Sequence, residues 1–121
     1  MIQNREQASA EAAIRIGQAM LAAAITAPKG NGVDDVNGVL LTGEEKVALA
    51  AHMRDIAEET GEDFYARDAG NVDNSFCVVL LWAENAPLWL TNCGLCGFRD
   101  CGENMEAGAV CAFNVTDLGS R

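Results

Sequence analysis

A single histidine, two prolines, one tyrosine and few aromatic side chains leave this sequence of 121 residues short of several kinds of chemistry. His52 falls on the polar side of an amphipathic stretch beside carboxylates, where it reads as a solvated residue and not as a ligand or base. No serine stands in a nucleophile-elbow context, so acid–base or nucleophilic catalysis has little to work with and no catalytic residue is assigned. Basic residues are scarce too. Eight Lys and Arg against 18 Asp and Glu give a net charge of −10, and the eight form no patch. That argues against nucleic acid and anionic membrane surfaces as partners, since both need clustered cations. Long apolar runs are also missing: the best stretch, Ala19 to Ala27, falls well short of the roughly 20 residues of a membrane span.

The start of the chain, Met1-Ile2-Gln3-Asn4-Arg5-Glu6, carries an acid and no leading basic cluster, which makes it a poor signal peptide. The chain therefore reads as cytoplasmic, where thiols stay reduced. Its five cysteines are an odd number, which also favours metal ligation over disulfides.

What the sequence does have is alanine, glycine and periodicity. Ala10, Ala13, Ile14, Gly17, Leu21, Ala24 and Ile25 recur at three- and four-residue steps, predicting a helix from Gln3 to Ala27 that Pro28 ends. Its small-residue face suits a close helix contact, either within the chain or between the subunits of a homodimer. The loop Thr26 to Asp35 follows, with Lys29, Gly30 and Gly32 as a candidate cradle for a phosphate or cofactor edge, against the plainer reading of a connection.

Val39-Leu40-Leu41 predicts a short strand. Thr42 is then the expected N-cap of a second helix, with Glu45 completing a capping box and Gly61 closing the helix after Thr60. Val47, Ala50, Met53, Ile56 and Ala57 are expected to face inward. Phe64 to Asp68 reads as extended and Ala69 to Ser75 as a turn or a single helical turn. The apolar run Phe76 to Trp82 predicts a strand buried on both faces, with Cys77 as a small core residue. Pro87 to Thr91 reads as extended, Arg99 to Gly108 as helical, and Val110 to Val115 as a returning strand. The fold class is α+β (α/β): a long helix and a second helix packed on a small sheet, with a cysteine-rich loop toward the C-terminus. Residues 1–121 form one unit, with 1–90 as scaffold and 91–116 as the cysteine segment.

That segment carries the chemistry. Cys93, Cys96, Cys101 and Cys111 follow the pattern Cys-x2-Cys-x4-Cys-x9-Cys, a density that packing does not require. A structural zinc site usually draws on two turns, each giving a pair at short spacing. Three thiols from one loop and a fourth farther on lie closer to the runs that hold a 4Fe–4S cluster. Gly94 and Gly97 let the backbone wrap and bring amides toward such a cluster. Zinc remains the alternative metal, and disulfides or free thiols remain open.

Five motifs together resemble an uncharacterised prokaryotic family described as containing a ferredoxin domain. They are Thr26-Ala27-Pro28-Lys29-Gly30-x-Gly32-Val33-Asp34, Leu41-Thr42-Gly43-Glu44-Glu45, Arg67-Asp68-Ala69-x-Asn71-Val72, Asn92-Cys93-Gly94-x-Cys96-Gly97 and Cys111-Ala112-Phe113-x-Val115-x-Asp117-Leu118-Gly119. The resemblance implies that Cys93, Cys96, Cys101 and Cys111 are the cluster cysteines. Members of that family run on past the Asp-Leu-Gly segment, so this chain is expected to be shortened at its C-terminus. Cys-x-x-Cys-Gly-x-x-x-Cys is also similar to the cluster motif of membrane-associated electron-transport subunits and corrinoid-protein partners. The alanine-rich helix ending in Ala27-Pro28-Lys29-Gly30 is similar to the early part of flavin-dependent nitroreductases. The nitroreductase likeness implies a partial nitroreductase-like fold, with FMN near Lys29, Gly30 and Gly32.

The leading expectation is an iron–sulfur electron carrier that meets a redox partner protein. A flavin-dependent oxidoreductase with the cluster as relay, and a binding module stapled by its four-cysteine site, are the alternatives.

Overall fold

The computed structural model describes residues 1–84 and 86–113, and is mixed α+β. Helix α1 runs over Arg5–Thr26, strand β1 over Val36–Leu41, helix α2 over Gly43–Thr60 and helix α3 over Asp63–Asp73. Strand β2 then spans Val78–Ala83 and helix α4 spans Cys101–Glu106. β1 and β2 pair as a two-stranded antiparallel sheet, continued by a bond from the Glu84 amide to the Asp35 carbonyl at 2.9 Å.

Packing divides the chain into two compact units. The first is Met1–Ala22 with Val39–Leu80, and the second is Ala23–Gly38 with Leu81–Arg121.

In the first unit the fully enclosed positions are small ones. Gly17 in α1 is buried, and Ala50 in α2 and Ala69 in α3 are both 0% exposed. α2 and α3 pack on each other, joined by a short turn in which Gly61 takes a left-handed φ of 72° and donates its amide to the Ala57 carbonyl. Arg54 of α2 pairs with Asp73 of α3, and Lys46 donates to the Asp73 and Ser75 carbonyls where α3 ends. None of α1 to α4 has a basic residue in its own last turn, so Lys46 supplies from outside the cation that the C-terminus of α3 favours.

Several expectations need correcting. Phe64 to Ser75 is neither strand nor isolated turn, because Asp63–Asp73 is helical. Tyr65, Ala69 and Val72 sit at helical steps on its more buried side, and that periodicity outweighs the strand preference of Phe64 and Tyr65. Thr42 does stand at the N-cap of α2 in extended conformation, but its side chain makes no capping bond. Val47 is 59% exposed and does not join Ala50 inside. β1 starts earlier than Val39, at Val36. β2 is not buried on both faces: Leu81 and Trp82 are 49% and 45% exposed, as the two strands paired among the described residues leave apolar side chains uncovered. Val110 and Cys111 are not in a strand, and Asn114 and Val115 lie outside the described residues.

Candidate metal centre

The cysteine segment belongs to the second unit and begins as irregular chain. Trp89 and Asn92 have φ of 55° and 57°, and Gly94 and Gly97 have φ of 60° and 88°. In the left-handed region a side chain is costly, so Gly94 and Gly97 are the residue type the path requires. A turn is closed by the Gly97 amide on the Gly94 carbonyl at 3.0 Å, which places Leu95 and Cys96 at its tip.

The next step is a capped helix start. Asp100 accepts from the Glu103 amide at 2.8 Å, while the Glu103 carboxylate accepts from the Arg99 amide at 2.6 Å. This reciprocal pair fixes Cys101 as the first residue of α4. The Glu103 amide is the main reason that the Asp100 carboxyl lies below the usual carboxylate range, with Arg99 and the Gly102 amide acting in the same direction and partial burial opposing.

After α4 the chain reverses. Gly108 has φ 66°, the Ala109 amide returns to the Asn104 carbonyl at 3.1 Å, and Asn104 Nδ2 donates to the Val110 carbonyl at 3.2 Å. The reversal delivers Cys111, 9% exposed.

The outcome is a common wall. Cys93, Cys96, Cys101 and Cys111 all line one cavity of about 20 Å³, together with Asp100 and Asn104. The thiols are graded across it: Cys93 is exposed, Cys96 and Cys101 are half-buried and Cys111 is buried, none of them in a disulfide. Among the described residues, no group of three or more His, Cys, Asp or Glu side chains is arranged to hold a metal ion. Four thiols lining one wall are nevertheless the donor set that soft metals and iron–sulfur clusters take.

The remaining sequence candidates lie elsewhere. Cys77 is half-buried in the first unit and donates its thiol to the Ala13 carbonyl at 3.5 Å, in keeping with a packing role. His52 is exposed on α2. Gly30–Gly32 forms a short 3₁₀ turn, and the Lys29 side chain, 9% exposed, turns back to the end of α1. Its ammonium donates to the Ala24 and Ile25 carbonyls and stands 3.8 Å from Asp34. An ammonium has three hydrogens, and these three protein acceptors can occupy them all.

Three residues of the site escaped sequence reading. Asp100 and Glu103 have the spacing of a capping pair, a signal that was present. Asn104 carries no such mark.

An uncharacterized protein of Archaeoglobus fulgidus is 38% identical to this chain over 108 residues, covering 83% of the chain and 58% of that protein. The chain thus spans little more than half the length of this relative. No protein-family model matches the chain, and no solved structure matches it.

Proposed function

We propose that this chain is an iron–sulfur protein of the ferredoxin-domain family it resembles, working in electron transfer in the cytoplasm with a protein redox partner. The observation that carries the reading is the single cavity wall formed by Cys93, Cys96, Cys101 and Cys111, which come from a glycine-rich loop, a helix start and a chain reversal. Thiolates are the ligands that iron–sulfur clusters use, and no cavity-lining histidine or pair of carboxylates competes with them among the described residues. When bound, a 4Fe–4S cluster would supply reversible one-electron transfer.

The chain's own residues would set the surroundings. Cys111 and Asn104 close the inner side, while Cys93 and the 58%-exposed Leu95 lie toward solvent, on the side a partner can approach. The charge of −10 favours a partner with a basic docking face, because opposite charge raises the rate of encounter.

Anaerobic purification with iron and sulfide analysis, followed by EPR after reduction, tests the proposal. The expected result is about four iron and four sulfide per chain with a reducible signal. A colourless protein holding one zinc per chain after anaerobic reconstitution would overturn it and assign the four cysteines to a structural staple.

A further inference from the structure

Asn104 is 2% exposed, and it is the one large side chain of the described residues that is fully buried. Its two amide atoms are treated unequally. Nδ2 donates to the Val110 carbonyl, whereas Oδ1 is buried with no hydrogen-bond partner among the described residues. The orientation is set by that bond, since exchanging the two atoms would turn Oδ1 against the Val110 carbonyl. Buried polar atoms in native proteins are nearly always satisfied, and one that is not calls for an explanation. Packing gives none, because an apolar side chain with the same branching, such as leucine, leaves no orphan. The position does give one: Asn104 lines the same cavity as Cys93, Cys96, Cys101 and Cys111.

We infer that Asn104 is a positioning residue for the thiol set, holding Cys111 in place through Val110 while Oδ1 turns the negative end of the amide toward whatever the thiols bind. Both halves follow from its bonds. The Asn104 carbonyl and side-chain amide grip Ala109 and Val110, the two residues before Cys111, so α4 and the fourth thiol move as one piece. Oδ1 has no donor to offer, so it opposes added negative charge in the cavity. A buried dipole of this sense holds the reduction potential of a bound cluster down. This inference rests on the four-cysteine reading above.

Two variants separate the roles. Asn104→Leu removes donor and acceptor, and Asn104→Asp removes the donor while keeping an oxygen. In metal-free, reduced protein, alkylation of each cysteine by iodoacetamide is followed by peptide mass spectrometry. Cys111 is expected to be the slowest of the four in the wild type and to react at least about tenfold faster in both variants. Cys96 and Cys101, in the same unit as Asn104, keep their rates within about twofold and so report that this unit is still folded. Unchanged Cys111 labelling in both variants would overturn the positioning role. If the leucine variant does not fold, as raised Cys96 and Cys101 rates would reveal, the aspartate variant decides.

In reconstituted protein the potential of Asn104→Leu is expected to shift positive and that of Asn104→Asp negative. A negative shift in Asn104→Leu would overturn the acceptor role, because it would mean that the amide donates to the site. Should the wild type bind no cluster, the reading of the cysteines fails, yet the labelling rates still decide whether Asn104 positions Cys111.

Discussion

Gly17 of α1 lies so close to Leu40 of β1 that a Cβ added to it would stand 2.7 Å from Leu40 Cδ1. The same Cβ would come within 3.3 Å of Cys77 Sγ and 3.5 Å of Val79 Cγ2. Helix and sheet therefore meet at a point where only a hydrogen fits. Gly17→Ala gains helix propensity of about 1 kcal/mol, but Leu40 must turn aside to admit the methyl. The two effects should leave that variant within about 1 kcal/mol of the wild type. Gly17→Val adds β-branched bulk against the sulfur as well and should lose about 2 to 3 kcal/mol. Urea unfolding midpoints of the two variants check the difference, and equal midpoints would show that the contact yields freely.

The four thiols of the cavity and the fifth cysteine should respond differently to substitution. If the proposed cluster is bound, Cys93→Ser, Cys96→Ser, Cys101→Ser and Cys111→Ser are each expected to cut the iron retained after anaerobic desalting by at least about tenfold, because each would remove one of the four proposed ligands. Cys77→Ala should keep full iron content and lose stability by about 1 kcal/mol, the sulfur being packed against Gly17 and bonded to Ala13. Iron per chain, measured on all five variants side by side, decides. Loss of iron in Cys77→Ala would mean that the ligand set has been drawn wrongly.

How far the sequence led depended on how local each feature was. Pro28 and Gly61 mark the ends of α1 and α2 through their own backbone constraints, and both ends fall where those residues put them. The spacing from Cys93 to Cys101 is likewise local, since a loop with Gly94 and Gly97 at positive φ brings its own thiols round to one wall. α3 was harder to read because Phe64 and Tyr65 are strand-favouring residues at the start of a short helix, and their rings stack on each other at a centroid distance of 4.2 Å. Asn104 could not be read at all. Its role exists only once Gly108 has turned the chain back and placed Val110 beside it, and nothing in the run Glu103-Asn104-Met105 announces that reversal.

Lys29 offers a test of a different kind. Its nearly enclosed ammonium caps the last carbonyls of α1, a helix with no basic residue in its own last turn. Lys29→Met keeps the apolar stem and removes the charge, leaving two helix carbonyls without their donor. The expected cost is about 1 to 2 kcal/mol, read as a lower urea midpoint. If this loop instead served a flavin phosphate through Lys29, Gly30 and Gly32, the wild type would retain FMN on gel filtration and Lys29→Met would release it.

Asp100 gives the site a dependence on acid whose sign can be worked out. Its carboxyl lies below the usual range in the folded chain, chiefly because the ionised form accepts from the Glu103 amide. A lowered folded value means that ionisation favours the folded state: the contribution is complete above the unfolded value of about 4 and disappears as pH falls through the lower folded value. The cap of α4, and with it the placement of Cys101, should therefore loosen in acid and not in base. Carbon-13 NMR of the Asp100 carboxyl is expected to give a midpoint below that of an ordinary aspartate. Across the same range, the hydrogen-exchange protection of the Glu103 amide, corrected for intrinsic rate, should fall in the wild type. Asp100→Asn can still accept from that amide but cannot titrate, so its protection should stay flat through the interval. Equal acid loss in both proteins would place the sensitivity at some other carboxylate, with Glu103, which holds the Arg99 amide, the first to replace by glutamine.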